Sequence, residues 1–286
     1  MSGTSVKPTP PACRVAAVQM CSGGERDANL ATAGRLLQAA AEQGAGVAVL
    51  PENFSIMAQR DADRRALAEP DGAGPVQDFL AQAAARLRLW IVAGSVPIAN
   101  APGERISQSC LVYSDDGARA ARYDKIHLFD VELPDRAESY RESAHMAPGS
   151  KVVTVDTPAG RLGLSICYDL RFPELYRRLQ AAGAQWFVVP AAFTAPTGEA
   201  HWEPLLRARA IENLCYVVAS AQYGLHPNGR RTWGHSLIVD YWGRILAQLP
   251  DGEGVISATI DRAAQDDARR KFPALSHRVA SLAGAA

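Results

Sequence analysis

The sequence predicts an α/β fold: two stacked β-sheets lying between outer layers of α-helix. Apolar Val- and Ile-rich runs alternate with amphipathic segments of helical period in both halves of the chain, the order expected of sheets covered by helices. The strand runs are apolar on both faces, and two stacked sheets with helices outside bury such strands. No stretch rich in Pro, Gly or Ser divides the 286 residues. A chain of this length suits one large domain or two small ones, and the missing linker favours one, over 13–286, behind a disordered tail at 1–12.

The elements follow in order. RVAAVQM, from Arg14, is a strand, and ANLATAGRLLQAAAEQG is an amphipathic helix stopped by Gly44. GVAVLPENF is a buried strand ended by Pro51, and AGPVQDFLAQAAARLRL is a second helix. LWIVAGSVPI is one strand. SQSCLVYSDDGARAARYDKIHLF is a hairpin turning at Asp116-Gly117. In the second half, VVTVDTPAGRLGLSICYD forms two strands around Ala159-Gly160, FPELYRRLQAAGA a helix and AQWFVVPAAF a strand. EAHWEPLLRARAIEN is a helix, CYVVASAQYG a strand, and HSLIVDYWGRILAQLPDGEGVISATID a closing hairpin. RAAQDDARRKFPALSHR reads as a charged C-terminal helix, either solvated or packed on a partner subunit.

Composition narrows the function classes. Thirty basic and thirty acidic side chains cancel, so nothing predicts binding to nucleic acid or to an anionic membrane surface. No run approaches the roughly 20 apolar residues of a membrane helix, and MSGTSVKPTPPAC lacks the apolar core of a secretory signal. The five cysteines, Cys13, Cys21, Cys110, Cys167 and Cys215, are odd in number, widely spaced and without a CxxC. That argues against a disulfide framework or a zinc site and for a reducing cytoplasm with free thiols.

In α/β sheets, sites gather at the carboxyl ends of strands. Polar residues that directly follow apolar strand runs are Glu52 after VAVLP, Lys125 in ARYDKIHLF, Cys167 after GLSI, and Phe193 and Thr194 after WFVVPAA. Each admits a plain reading. Cys167 is a small core residue, Glu52 caps a turn, and Lys125 is a solvated strand lysine. Together they fit one chemistry. An ammonium and the helix amino-terminus at Pro173 both favour a thiolate. A carboxylate can take the thiol's proton and later activate water. The ammonium and the backbone N–H of Tyr168 can hold an oxyanion. His127, two residues from Lys125 and on the same strand face, keeps a Cys–His pair open. The remaining histidines show no metal-ligating spacing.

LPENF, YDKIHLFD and CYDLRFPEL, in this order and at these separations, together resemble the nitrilase (carbon–nitrogen hydrolase) superfamily. The resemblance spans RVAAVQM to GVISATID. It implies a four-layer αββα sandwich that dimerises into an eight-layer αββα–αββα assembly. It also implies Glu52 as general base, Lys125 as transition-state stabiliser and Cys167 as nucleophile, with no metal or organic cofactor. Glu142, in YRESAHMAPG, is otherwise a surface Glu in a polar loop; by resemblance it positions Lys125 and the substrate.

FDVELPDR, YRESAHMAPG, AAFTAPTGEAHWEPLLRARAIEN and GHSLIVDYWGR resemble the Nit branch, particularly its deaminated glutathione amidases. The branch implies a small carboxylate-bearing amide substrate, split into 2-oxoglutarate and Cys-Gly, with the ω-amidases of 2-oxoglutaramate and 2-oxosuccinamate as near relatives. Arg171 is then either a structural salt bridge or a fork for the substrate carboxylate. Phe193 and Thr197 line the pocket by resemblance, or pack in the core and hold a loop; Thr194 joins them. Asp135 stands where the branch has glycine and Tyr241 where it has proline.

Overall fold

A computed structural model describes residues 12–133 and 138–279. The proposed 1–12 tail, save its last residue, and Asp135 lie outside the described residues.

The first sheet runs in the order Gly254–Ile260, Cys13–Gln19, Val47–Val49, Trp90–Val92, Ile106–Tyr113, Val96–Ile98, with Arg119–Asp124 and Met146–Ala147 also paired to Ile106–Tyr113. The second runs Thr154–Thr157, Gly160–Gly163, Trp186–Ala191, Tyr216–Ala221, Ser236–Val239, Ile245–Leu249. Helices Arg26–Glu42 and Pro75–Leu87 cover the first sheet, and Pro173–Ala181 and Ala195–Asn213 cover the second. The layers are therefore αββα.

Strand periodicity explains the packing. Along Cys13–Gln19, Val15 and Ala17 enter the core between the sheets, with Val188, Val218 and Trp186. Ala16 and Val18 turn the other way, under Leu36, Leu37 and Leu80 of the first helix layer. Successive strand side chains point to opposite faces, so a strand covered on both sides is apolar at every position. Trp186 is fully buried; truncating a core aromatic of this kind to Ala costs about 3–5 kcal/mol.

Several expectations needed correction. LWIVAGSVPI is two strands, broken at Gly94, whose φ is +48°. A Cβ there would meet Pro51 O at 2.0 Å, so only glycine lets the chain turn beneath the residue before Glu52. GVISATID does not close a hairpin on Ile245–Leu249. Gly254–Ile260 instead pairs antiparallel with Cys13–Gln19, from Cys13↔Ile260 to Gln19↔Gly254, and so crosses to the other sheet. The helix in EAHWEPLL begins earlier, at Ala195, with a proline in its first turn. The C-terminal helix spans only Arg262–Lys271. A short helix at Asp61–Ala66 and two small hairpins, Asp130–Leu133/Glu138–Arg141 and Tyr223–Leu225/Arg231–Trp233, were not expected. Tyr241 sits in the turn closed by Asp240 N–H on Arg244 O at 2.9 Å, with its ring edge-on to Tyr216.

Candidate active site

Glu52, Lys125, Glu142, Cys167, Tyr168, Arg171, Phe193, Thr194 and Thr197 all border one cavity of about 490 Å³. Three strand ends feed it. Glu52 follows Val47–Val49, Cys167 follows Gly160–Gly163, and Phe193 follows Trp186–Ala191; these strands belong to both sheets, so the cavity opens where the carboxyl ends of the two sheets meet.

Lys125 is the hub. Its Nζ donates to Glu52 Oε1 at 3.0 Å and to Glu142 Oε1 and Oε2 at 3.0 and 2.9 Å. Glu142 Oε2 also accepts from Phe129 N at 2.7 Å, which fixes the carboxylate to the chain just beyond Lys125. Glu52 Oε2 accepts from Ala192 N at 2.9 Å. Glu52 is 3% exposed and Lys125 2%. Charges buried this deeply persist only when paired and hydrogen-bonded, and two carboxylates around one ammonium leave the cluster at net −1.

The Cys167 thiol hydrogen-bonds the Glu52 carboxylate and is 7% exposed. Burial pushes it up, the Glu52 charge pushes further, and the Lys125 ammonium offsets only part. The thiol therefore rests protonated. An ammonium and a helix terminus alone suggest a thiolate; the sequence does not show the depth of burial or the carboxylate beside the sulfur, and these two outweigh them. For Glu52, burial pushes upward, but Lys125, the hydrogen bonds from Cys167 and Lys125, and Arg230 bring it below the ordinary carboxylate value. Burial pulls Lys125 down, and Glu142, Glu52 and Cys167 raise it well above the usual lysine range. The resting site is thus a neutral thiol hydrogen-bonded to a charged carboxylate, beside a permanent cation.

Backbone strain aims the sulfur. Cys167 has φ +48° and Asn53, next to Glu52, φ +58°. Left-handed non-glycine residues cost of order 1–3 kcal/mol and need surrounding structure to hold them. For Cys167 that structure is Asp169, which is fully buried. Its carboxylate accepts from Ile166 N (2.9 Å), His127 N (3.0 Å) and the Tyr123 hydroxyl (2.7 Å), and meets His127 Nδ1 at 2.7 Å. One carboxylate thus ties the turn bearing Cys167 to the segment bearing Lys125. His127 is engaged by Asp169 and stacked on Phe172 at 3.7 Å; it does not line the cavity, so the Cys–His arrangement has no geometry to support it.

Arg171 pairs with no carboxylate among the described residues. Its Nη1 meets His201 Nδ1 at 3.1 Å, and its guanidinium lies over Tyr168 and Phe193 at 5.7 and 5.1 Å. Thr194 and Thr197 join their hydroxyls at 2.8 Å where Ala195–Asn213 starts. Phe193 packs on Trp202. Among the described residues no group of three or more His, Cys, Asp and Glu is arranged to hold a metal ion. Asp169 and Arg230 went unnoticed in the sequence. Asp169 lies inside CYDL and was open to inspection; Arg230 sits in HPNGRR, a polar turn with no periodicity to draw attention.

The chain matches the carbon-nitrogen hydrolase family over residues 14–270. It belongs to that family. This carbon–nitrogen hydrolase is 44% identical over 264 residues to the deaminated glutathione amidase of Yersinia enterocolitica, covering 92% of each chain. It is 40% identical over 276 residues to that of Homo sapiens, covering 94% of this chain and 83% of the relative. The C. elegans NitFhit protein superposes with a TM-score of 0.88 at 37% identity, covering 95% of this chain and 66% of that one. The hydrolase thus spans about two thirds of the NitFhit chain.

Proposed function

We propose that this carbon–nitrogen hydrolase is an amidase that cleaves deaminated glutathione to 2-oxoglutarate and Cys-Gly through a thioester. The observation that carries the chemistry is Lys125, held at 3.0 Å from Glu52 and 2.9 Å from Glu142 beside the Cys167 thiol. The likeness to the Yersinia and human relatives supports the substrate.

Glu52 takes the Cys167 proton as sulfur adds to the amide carbon. Lys125 and the Tyr168 N–H hold the oxyanion. As the C–N bond breaks, Glu52 passes its proton to the leaving amine. Glu52 then removes a proton from water, whose oxygen attacks the thioester, and the proton returns to sulfur as the acid departs. Glu142 keeps Lys125 aimed. Arg171 forks the carboxylate of the 2-oxo acid, with Phe193, Thr194 and Thr197 shaping that end. The absence of any carboxylate partner for Arg171 among the described residues favours this over a structural salt bridge.

Side-by-side kcat/KM for deaminated glutathione and 2-oxoglutaramate tests the substrate; a preference for 2-oxoglutaramate makes the protein an ω-amidase instead. Cys167→Ala is expected to abolish both activities with the fold intact, and retained turnover removes the nucleophile assignment. Arg171→Lys is expected to weaken acidic amides more than neutral ones.

We further propose a homodimer acting in the cytoplasm. Ile211, Trp242 and Phe272 are about half exposed, and Trp242 meets Phe272 edge-on at 5.5 Å. An exposed aromatic patch of this kind marks an association surface. Light scattering that returns the monomer mass across the micromolar range removes the dimer. Among the described residues no helix is long and apolar enough to cross a membrane.

A further inference from the structure

Six buried side-chain nitrogen or oxygen atoms lack a hydrogen-bond partner among the described residues, and two of them, Arg64 Nε and Arg230 Nε, belong to residues lining the cavity beside Cys167. Buried donors are almost always satisfied, and an orphan in a native structure calls for an explanation. Arg262 Nε shares the defect away from the cavity; Arg64 and Arg230 differ in that their guanidiniums border a space where a ligand group can accept from them.

Their surroundings agree. Neither Arg64 nor Arg230 forms a salt bridge among the described residues, whereas Arg60, on the same cavity, is paired with Asp63 at 2.9 Å. Arg230 is nonetheless held in place. Its Nη2 donates to Ala192 O, and its guanidinium lies over the Tyr140 ring at 5.2 Å. The loop before it is tied to the segment leading to Arg64 by Asn228 Nδ2 donating to Ala58 O at 3.2 Å. This wall is distinct from that of Arg171. Between the two guanidiniums runs an aromatic row, Tyr140 to Phe129 at 5.0 Å and Phe129 to Tyr168 at 5.0 Å, with Arg171 over its far end. The cavity thus has a cation at each end of one apolar strip, and neither cation forms a salt bridge with a carboxylate among the described residues.

We propose that Arg64 and Arg230 form a second anion-binding pole, which takes the terminal carboxylate of the departing dipeptide while Arg171 takes the carboxylate of the acyl part. This rests on the proposed substrate, whose two carboxylates flank the scissile amide. It makes these arginines specificity determinants: 2-oxoglutaramate, which carries only the acyl-side carboxylate, has nothing to offer the second pole. Charge-assisted guanidinium–carboxylate bonds, frequently bidentate, supply both the affinity and the geometry.

The test uses the full-length enzyme with three amides: deaminated glutathione, its C-terminal carboxamide, and 2-oxoglutaramate. In the unsubstituted enzyme, kcat/KM for deaminated glutathione is expected to exceed that of the carboxamide by about tenfold to a hundredfold, the range for one hydrogen bond to a charged group. Arg64→Gln and Arg230→Gln are each expected to collapse that ratio toward one, mainly through KM, and the Lys variants to restore part of it. A ratio near one in the unsubstituted enzyme, or a ratio that survives both Gln variants, overturns the second pole and leaves the amidase reading standing. No cleavage of deaminated glutathione by the unsubstituted enzyme overturns the substrate reading, and the second pole falls with it. Thermal unfolding accompanies each variant; if Arg230→Gln fails to fold, Arg64→Gln and the unsubstituted ratio still decide.

Discussion

Glu52→Gln separates two things a carboxylate does beside a thiol. In the resting site Glu52 is charged and the Cys167 thiol protonated, so in the proposed mechanism sulfur reacts by handing its proton to Glu52, with none exchanged with solvent. Alkylation of Cys167 by neutral iodoacetamide is therefore expected to be nearly independent of pH between about 6 and 9. The Gln side chain cannot take the proton. The variant's sulfur must lose it to water, and its alkylation rate is expected to rise tenfold per pH unit. The structure also sets the size of the electrostatic change. A Cys167 thiolate in the native site forms against Glu52, Glu142 and Lys125, net −1; after Glu52→Gln it forms against zero. One charge at about 4 Å and an effective dielectric of about 20 is worth about 4 kcal/mol, so direct ionisation becomes easier by a factor of about 10³. Turnover moves the other way, falling by about 10²–10⁴ with the loss of acid–base catalysis. The assay is pH-resolved alkylation with mass spectrometry of the Cys167 peptide, run beside kcat/KM. Native alkylation rising tenfold per pH unit, or variant alkylation independent of pH, refutes the proton path.

Cys167→Gly is expected to be more stable than Cys167→Ala by about 0.5–1 kcal/mol, because glycine relieves the left-handed φ of +48°; a higher melting temperature for the Ala variant contradicts the strained turn. Gly94→Ala places a methyl 2.0 Å from Pro51 O at a positive φ and is expected to abolish soluble folded protein, read by circular dichroism. Asp169→Asn weakens the acceptor for Ile166 N, His127 N and Tyr123 Oη and is expected to cost about 3 kcal/mol and to lower kcat more than it raises KM. On acidification, a carboxyl held below its ordinary value of 4.5 contributes stability that is complete above that value and is lost as pH falls through its lower folded value. The stability gap between the native enzyme and Glu52→Gln is accordingly expected to hold from neutrality to about pH 4.5 and to narrow below it, as followed by chemical denaturation.

What the residues alone determined is the layering and the candidate chemistry. Periodicity of apolar residues is local and repeats over every element, so VAVLP and WFVVPAA declared themselves as strands, and the polar residues at their ends as neighbours at one sheet edge; GLSIC looked like a strand too, but the strand ends at Gly163 and the chain turns to Cys167 beyond it. Only the folded chain decided how those neighbours treat one another. That the Cys167 thiol stays protonated depends on burial and on a carboxylate 115 positions away in sequence, and neither is a property of the residues around the cysteine. The crossing of GVISATID to the other sheet was hidden for a related reason. Without it both Cys13–Gln19 and Ile245–Leu249 are edge strands with an unpaired side, so no local signal in its sequence separates the two. Arg64, in a short helix, and Arg230, in a polar turn, were invisible because a guanidinium becomes informative only when the surrounding wall places it on a cavity and supplies no carboxylate.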